Sequence, residues 1–160
     1  MPIIFYKILY SGIDMEVRLK RIKQFVKNTA REKWLLDPIV KKFLHYNNKN
    51  EESSSWKPAF IHNFEIYIGR KLIGDIKVFG SDSDLKKKVA QILIVIGENR
   101  GEGVGTKAIN LLLGKLQDMF SAVYCNVNRY NIASLKMLRK NGFYIKDLKG
   151  NEFVLYKPLV

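Results

Sequence analysis

A long apolar run, Val89-Ala90-Gln91-Ile92-Leu93-Ile94-Val95-Ile96, dominates the hydropathy pattern of the chain. It is short, rich in β-branched residues and apolar on both alternations, so it predicts a strand buried on two faces. Ala108, Ile109, Leu112, Leu113 and Leu116 recur at helical spacing and predict an amphipathic helix soon afterwards. Between them lies Gly97-Glu98-Asn99-Arg100-Gly101-Glu102-Gly103-Val104-Gly105-Thr106, a glycine-rich turn. The centre of the chain therefore reads as strand, turn, helix.

The rest of the pattern builds outward from that unit. Residues 3–10 are apolar on both alternations and predict a strand inside a sheet, turned by Ser11-Gly12. Asp14 predicts the N-cap of a helix to about Asn28, with Met15, Leu19, Ile22, Phe25 and Val26 inward and a basic outer face. Residues 29–46 predict a second helix, with Trp34, Leu35, Phe43 and Leu44 inward. Pro38 either kinks it or starts a new helix after Asp37. Residues 47–57 carry Asn-Asn, Glu-Glu and Ser-Ser-Ser and predict a flexible loop. Residues 59–68 alternate, Gly69-Arg70 turns them into 72–79, and 80–87 turn again into the central run, which predicts an antiparallel three-strand meander. Residues 122–127 predict a strand parallel to the central one, reached by a right-handed crossover. Residues 131–141 predict a helix with Ile132, Leu135 and Leu138 inward, ended by Gly142, and a hairpin follows over Lys149-Gly150-Asn151. The sum is an α/β fold with a mixed, mostly antiparallel central sheet of about seven strands and helices on both faces.

Composition narrows the class. A chain of 160 residues, 47% apolar, suits one domain over 1–160 with a core of its own. No apolar run approaches the ~20 residues of a membrane-spanning helix. The first residues lack a basic flank and a small-residue cleavage site, so no signal peptide is read. With one cysteine and two histidines, neither an intramolecular disulfide nor a structural zinc site is expected, and a cytoplasmic location is. The net charge of +13 predicts attraction to polyanions: nucleic acid, an acidic protein or a CoA-type cofactor. The lysines are spread along the chain and no nucleic-acid motif is visible, which favours a solvated basic surface.

The turn carries the chemistry. Glycines at 101, 103 and 105 allow positive φ and close backbone approach, and a helix start offers unpaired N–H groups and partial positive charge. Together they make an anion site suited to a phosphate or pyrophosphate, with Arg100 adding a fixed charge. Gly105-Thr106-Lys107 is in the wrong order for a P-loop, and G-x-G-x-G is the wrong spacing for a dinucleotide fingerprint. Arg/Gln-x-x-Gly-x-Gly/Ala is satisfied by residues 100–105.

That pattern resembles the acetyl-CoA pyrophosphate loop of the GNAT N-acetyltransferases. Asn131-Ile132-Ala133-Ser134-Leu135-Lys136-Met137-Leu138-Arg139-Lys140-Asn141-Gly142-Phe143 resembles a second pattern of the same superfamily, Asn-x-x-Ala/Ser-x-x-Leu-Tyr-x-Lys-x-Gly-Phe. The two lie in the family's order, and the likeness, nearest to the ribosomal-protein and small-amine branches, covers essentially the whole chain. It implies acetyl-CoA as cosubstrate. The backbone of Ile94, Val95 and Ile96 would pair with the pantetheine arm. The N–H groups of Arg100, Gly101, Glu102, Gly103, Val104, Gly105 and Thr106 would hold the pyrophosphate. Asn131 and Ser134 would lie along the arm, Asn131 also serving as a helix N-cap, and Arg139 or Lys140 would meet the 3′-phosphate.

The implied reaction is direct attack of a primary amine on the thioester in a ternary complex. The amine must first lose a proton, and the leaving thiolate benefits from an acid. Here the chain departs from the family: the usual Tyr position is Leu138, and the usual Glu position on the central strand is Gln91. Gln91 can hold a water but cannot take a proton. Tyr124, close to the expected thioester, and Glu98, at the mouth of the loop, are substitutes. Asp75, Glu65, His62 and Cys125 are further candidates, each with an ordinary structural reading. The acceptor stays open between a protein N-terminus, a lysine, a polyamine and an amino sugar. A CoA-binding module with little catalysis is the alternative, motivated by the missing Tyr and Glu. A nucleic-acid binder is a third, resting on charge alone. The apolar terminal hairpin suits either a homodimer contact or pairing within the chain.

Overall fold

The computed structural model describes residues 16–26, 29–43 and 57–159. In chain order the elements are β1 (Val17–Ile22), α1 (Thr29–Leu36), α2 (Pro38–Phe43), β2 (Phe60–Ile68), β3 (Lys71–Gly80), α3 (Asp82–Lys87), β4 (Val89–Ile96), α4 (Val104–Leu116), β5 (Ala122–Asn128), α5 (Ile132–Lys140), β6 (Tyr144–Lys149) and β7 (Glu152–Pro158). The seven strands form one sheet in the order β1-β2-β3-β4-β5-β7-β6, antiparallel throughout except where β4 meets β5.

One predicted helix is a strand. Residues 17–22 form β1, paired with β2 from Val17↔Ile68 to Ile22↔Asn63. Val17 and Leu19 turn inward against the core while Arg18, Lys20 and Arg21 stay exposed. Period 2 wins over period 3.6 because pairing to β2 buries Val17 and Leu19 together, and the basic residues suit an exposed edge strand. The strand predicted at 3–10, the start of the helix predicted from Asp14 and the loop predicted at 47–57, up to residue 56, lie outside the described residues.

The second predicted helix breaks at Asp37. Pro38 opens α2, where its missing N–H costs nothing, and Asp37 Oδ1 accepts from Ile39 N at 2.8 Å. The segment at 80–87, read from sequence as a turn, contains α3. Ser81 Oγ accepts from Asp84 N at 3.2 Å and Asp84 Oδ2 accepts from Ser81 N at 2.9 Å, a reciprocal cap.

The core fills one face of the sheet. Ile66, Ile76, Val78, Ile92, Val123, Cys125 and Leu155 meet Val104, Ala108, Ile109, Leu112 and Leu116 of α4 and Leu138 of α5. The other face carries Glu65, Asp75 and Lys77, and there α1 docks. Arg31 reaches Asp75 at 2.7 Å and Glu65 at 3.2 Å, and Phe25 stacks on its guanidinium at 4.3 Å. The terminal hairpin forms as predicted within the chain; Tyr144, Ile145 and Leu148 of its outer strand β6 stay exposed at the sheet edge.

Candidate functional site

β4 and β5 run parallel for three rungs, Val89↔Ala122, Ala90↔Val123 and Gln91↔Tyr124, and then pairing stops. The two strands part over the start of α4. A cleft of about 510 Å³ opens there, lined by Ile92 to Ile96 of β4, Cys125 to Asn128 of β5, the glycine turn, α2 and α5.

The turn has the geometry its composition predicts. Gly101 and Gly103 take φ of +79° and +78°, and a Cβ on either would project into open space. Asn99 also has positive φ, at 57°. Gly103 occupies the N-cap of α4 and provides no side-chain cap, so the first N–H groups of a 13-residue helix face the cleft with the helix dipole behind them. Such a cradle fits an anionic pyrophosphate. Gly105 serves packing instead, since a Cβ there would strike Met137 Sδ of α5. Gly97 lies flat under the Trp34 indole, where a Cβ would fall inside the ring. The turn is further anchored by Gly97 N and Glu98 N, which both donate to Ile73 O.

Of the residues singled out from sequence, Ile94, Val95, Ile96, Arg100, Gly101, Gly103, Val104, Gly105, Thr106, Asn131 and Ser134 line the cleft. Arg100 is not a free cation. Its Nε donates to Ile96 O at 2.7 Å and its guanidinium pairs with Asp37 at 3.2 Å, tying the turn to the start of α2. Hydrogen bonding from Ile39 N, ahead of the Arg100 charge, holds the pKa of Asp37 below the usual carboxylate range. Asn131 caps α5, its Oδ1 accepting from Ser134 N at 3.3 Å. Glu102 is exposed and outside the lining. Arg139 is likewise exposed and outside the lining, whereas Lys136 and Lys140, one turn apart on α5, both line the cleft.

The three candidate catalytic side chains do not line it. Glu98 pairs with Lys71 at 2.6 Å, which pulls its pKa down and holds it as a carboxylate. Tyr124 lies on the face of β5 opposite Cys125, where the strands are still paired, and its hydroxyl donates to Asp84 at 3.1 Å. Gln91 sits opposite Tyr124 in the last rung, below the opening. Glu65 and Asp75 are brought together, but on Arg31; burial raises the pKa of Asp75 despite that guanidinium. His62 packs among Phe60 and Phe120, with Arg21 on its Nδ1 at 2.6 Å. Cys125 does line the cleft, but its thiol is buried and pushed up to about 12 by desolvation, so it stays protonated and is a poor nucleophile.

Two cleft residues escaped notice in the sequence. Asn126 and Asn99 each hold a buried side-chain oxygen with no hydrogen-bond partner among the described residues. The alternation Tyr124-Cys125-Asn126 was the available signal, since a buried Cys125 throws Asn126 to the other face. Among the described residues no group of three metal-binding side chains gathers, and no helix is long and apolar enough to cross a membrane.

Neither a protein-family model nor a curated sequence matches the chain. Solved structures do. A domain from Methanocaldococcus jannaschii superposes with a TM-score of 0.71 at 23% identity, over 91% of this chain and 99% of that one. An aminoglycoside acetyltransferase in complex with coenzyme A gives 0.68 at 13% identity, over 89% and 95%. The spermidine N-acetyltransferase of Vibrio cholerae, in complex with CoA and spermine, gives 0.66 at 15%, over 89% and 95%. At these identities the likeness is one of fold.

Proposed function

We propose that this chain, whose fold is that of the GNAT N-acetyltransferases, is an acyl-CoA-dependent N-acetyltransferase acting on a primary amine. One observation carries the reading: β4 and β5 part directly over an uncapped helix N-terminus whose glycine turn leaves open space. A strand with one unpaired edge suits the amide-bearing pantetheine arm, and the bare N–H groups of α4 suit the pyrophosphate. Fold and donor set thus agree on acetyl-CoA, which when bound supplies the activated acyl group.

The chain's own residues do the rest. Ile94, Val95 and Ile96 present backbone to the arm. The turn from Arg100 to Thr106 presents N–H groups to the phosphates, with Gly101 and Gly103 keeping side chains out of the way. Arg100 holds the turn against α2, and Lys136 and Lys140 add positive charge on the α5 side. Leu138 is buried and Cys125 stays neutral, so neither of these two residues supplies an ionised group for proton transfer, and no carboxylate lines the cleft among the described residues. An incoming amine is positioned beside the acyl group rather than chemically activated by a dedicated side chain.

Thiol release from acetyl-CoA, measured with and without an amine panel, tests this. Amine-dependent release supports it. A second reading rests on the position of Leu138 and on Tyr124, Gln91 and Glu98 lying outside the cleft: a CoA-binding module with little catalysis. Tight acetyl-CoA binding without release for any amine selects that one.

A further inference from the structure

The cleft lining includes a residue with an unanswered hydrogen-bond acceptor, just past the point where β4 and β5 part. Asn126 lies two residues past Tyr124, the last β5 residue paired with β4. Cys125 packs in the core, so Asn126 projects to the opposite face, the side on which α1 docks. Its Oδ1 is shut off from solvent, has no partner among the described residues, and belongs to a residue of the cleft lining. A buried amide oxygen without a donor is costly, and a ligand N–H would satisfy it. A second orphaned oxygen of the cleft lining, on Asn99, lies in the turn beside Arg100, at the end of the cleft suited to phosphates; a third, on Asn63, lies outside the lining.

The charge around Asn126 is as telling. The cleft lining includes no Asp or Glu among the described residues; its ionised groups are Arg100, Lys136 and Lys140. The carboxylates on this side of the sheet are engaged elsewhere. Asp84 accepts from Ser81 and Tyr124, and Asp75 and Glu65 share Arg31. Lys77 stands on β3 beside Asp75. Glu152 of β7 lies opposite Asn128 and outside the lining. Cys125, Tyr124, Tyr156 and Lys157, the last opposite Val123, are further titratable groups of β5 and β7 near the parting. Among the described residues no carboxylate lines the cleft to stabilise an ammonium ion or remove its proton.

We propose that Asn126 Oδ1 receives an N–H of the acceptor amine where β4 and β5 part, and that the site selects amines arriving already neutral, a peptide α-amino group ahead of a lysine or polyamine. This rests on the acetyltransferase reading above. An amide oxygen accepts a hydrogen bond from an amine but cannot deprotonate it. The amine must lose its proton in solution before it binds. Near about pH 7.5, about a third of an α-amino group is neutral, against about one lysine in a thousand. The greater intrinsic nucleophilicity of the more basic amine offsets part of that difference. The transfer forms the amide C–N bond, breaks the thioester C–S bond, and passes the second amine proton to solvent or the leaving thiolate.

The test uses the full chain, acetyl-CoA, a peptide with a free α-amine and no lysine, an Nα-blocked peptide with one lysine, and spermidine, with products read by mass spectrometry. The expected kcat/KM for the α-amine peptide is at least about tenfold above the other two at about pH 7.5 and rises with pH through a midpoint near about 8 to a plateau near about 9. Asn126→Leu lowers that value by about tenfold or more while acetyl-CoA affinity, measured by calorimetry, stays unchanged. Asn126→Asp supplies a carboxylate, so the lysine and spermidine rates gain relative to the α-amine and the pH rise moves lower. Preference for lysine or spermidine in the wild type, or an Asn126→Leu rate equal to wild type, overturns the proposal while leaving the acetyltransferase reading intact. Absence of acetyl-CoA binding overturns both.

Discussion

Single side chains decide how the cleft is held open. Gly97 is the floor on which the Trp34 indole rests, and no other residue fits under that ring. Gly97→Ala should therefore force α1 off the sheet and cost about 1–3 kcal/mol, read as a lower urea midpoint with an unchanged slope. His62 gives a pH signature. Burial, with a smaller push from Arg21, lowers its pKa below the ordinary 6.5. A lowered histidine contributes stability that is fully present above its unfolded pKa and is lost as pH falls through the folded one. The urea midpoint of the wild type should fall between neutral pH and pH about 5. The fall should be shallower in His62→Gln; identical slopes in both would remove His62 from that role. The turn glycines and the Asn131 cap were legible because each is a local rule about φ or about a helix end. Asn126 and the Arg100–Asp37 pair were not, since each depends on which face or which distant element meets the residue.

Elements show the same division between local and tertiary causes. The strand, turn and helix at 89–116, the meander, and the crossover to β5 were all legible from apolar period and punctuation. β1 was not, because Val17-Arg18-Leu19-Lys20-Arg21-Ile22 carries too few apolar residues for its period to be decisive, and only β2 settles it. α3 hid in a polar stretch whose helix comes from the Ser81–Asp84 cap rather than from any apolar face. The docking of α1 is electrostatic as well as apolar. Arg31 is sandwiched between two carboxylates, all three side chains being 11–14% exposed. Arg31→Met should leave Glu65 and Asp75 without their shared cation, only the Tyr67 hydroxyl still donating to Glu65, and cost about 3 kcal/mol near neutral pH. The sign with pH follows from Asp75, whose folded pKa is already raised by burial. The penalty of ionising it is absent below its unfolded pKa and grows as pH rises through the folded value. The Arg31→Met deficit should shrink as pH is lowered from about 8 to about 5; a pH-independent deficit would mean that the lost contact is packing on Phe25 alone.

Across the whole molecule, the main apolar core lies on one face of the sheet, α1 docks on the other, and the parted strands leave the cleft for ligands. Leu112 stands at 0% exposure in that core, so Leu112→Ala should cost about 2–5 kcal/mol while leaving the cleft lining untouched. The charge of +13 acquires a local use, since Arg100, Lys136 and Lys140 surround a cleft lined by no carboxylate among the described residues. The most direct experiment is calorimetric titration with acetyl-CoA of the wild type and of Gly103→Asp. That substitution adds a carboxylate in the open space before α4, at a φ of +78°, without striking any neighbour. Saturable binding by the wild type, lost in a Gly103→Asp protein whose circular dichroism is unchanged, is the expected result. No binding by the wild type, or equal binding by both, would contradict a pyrophosphate seated on the bare N-terminus of α4.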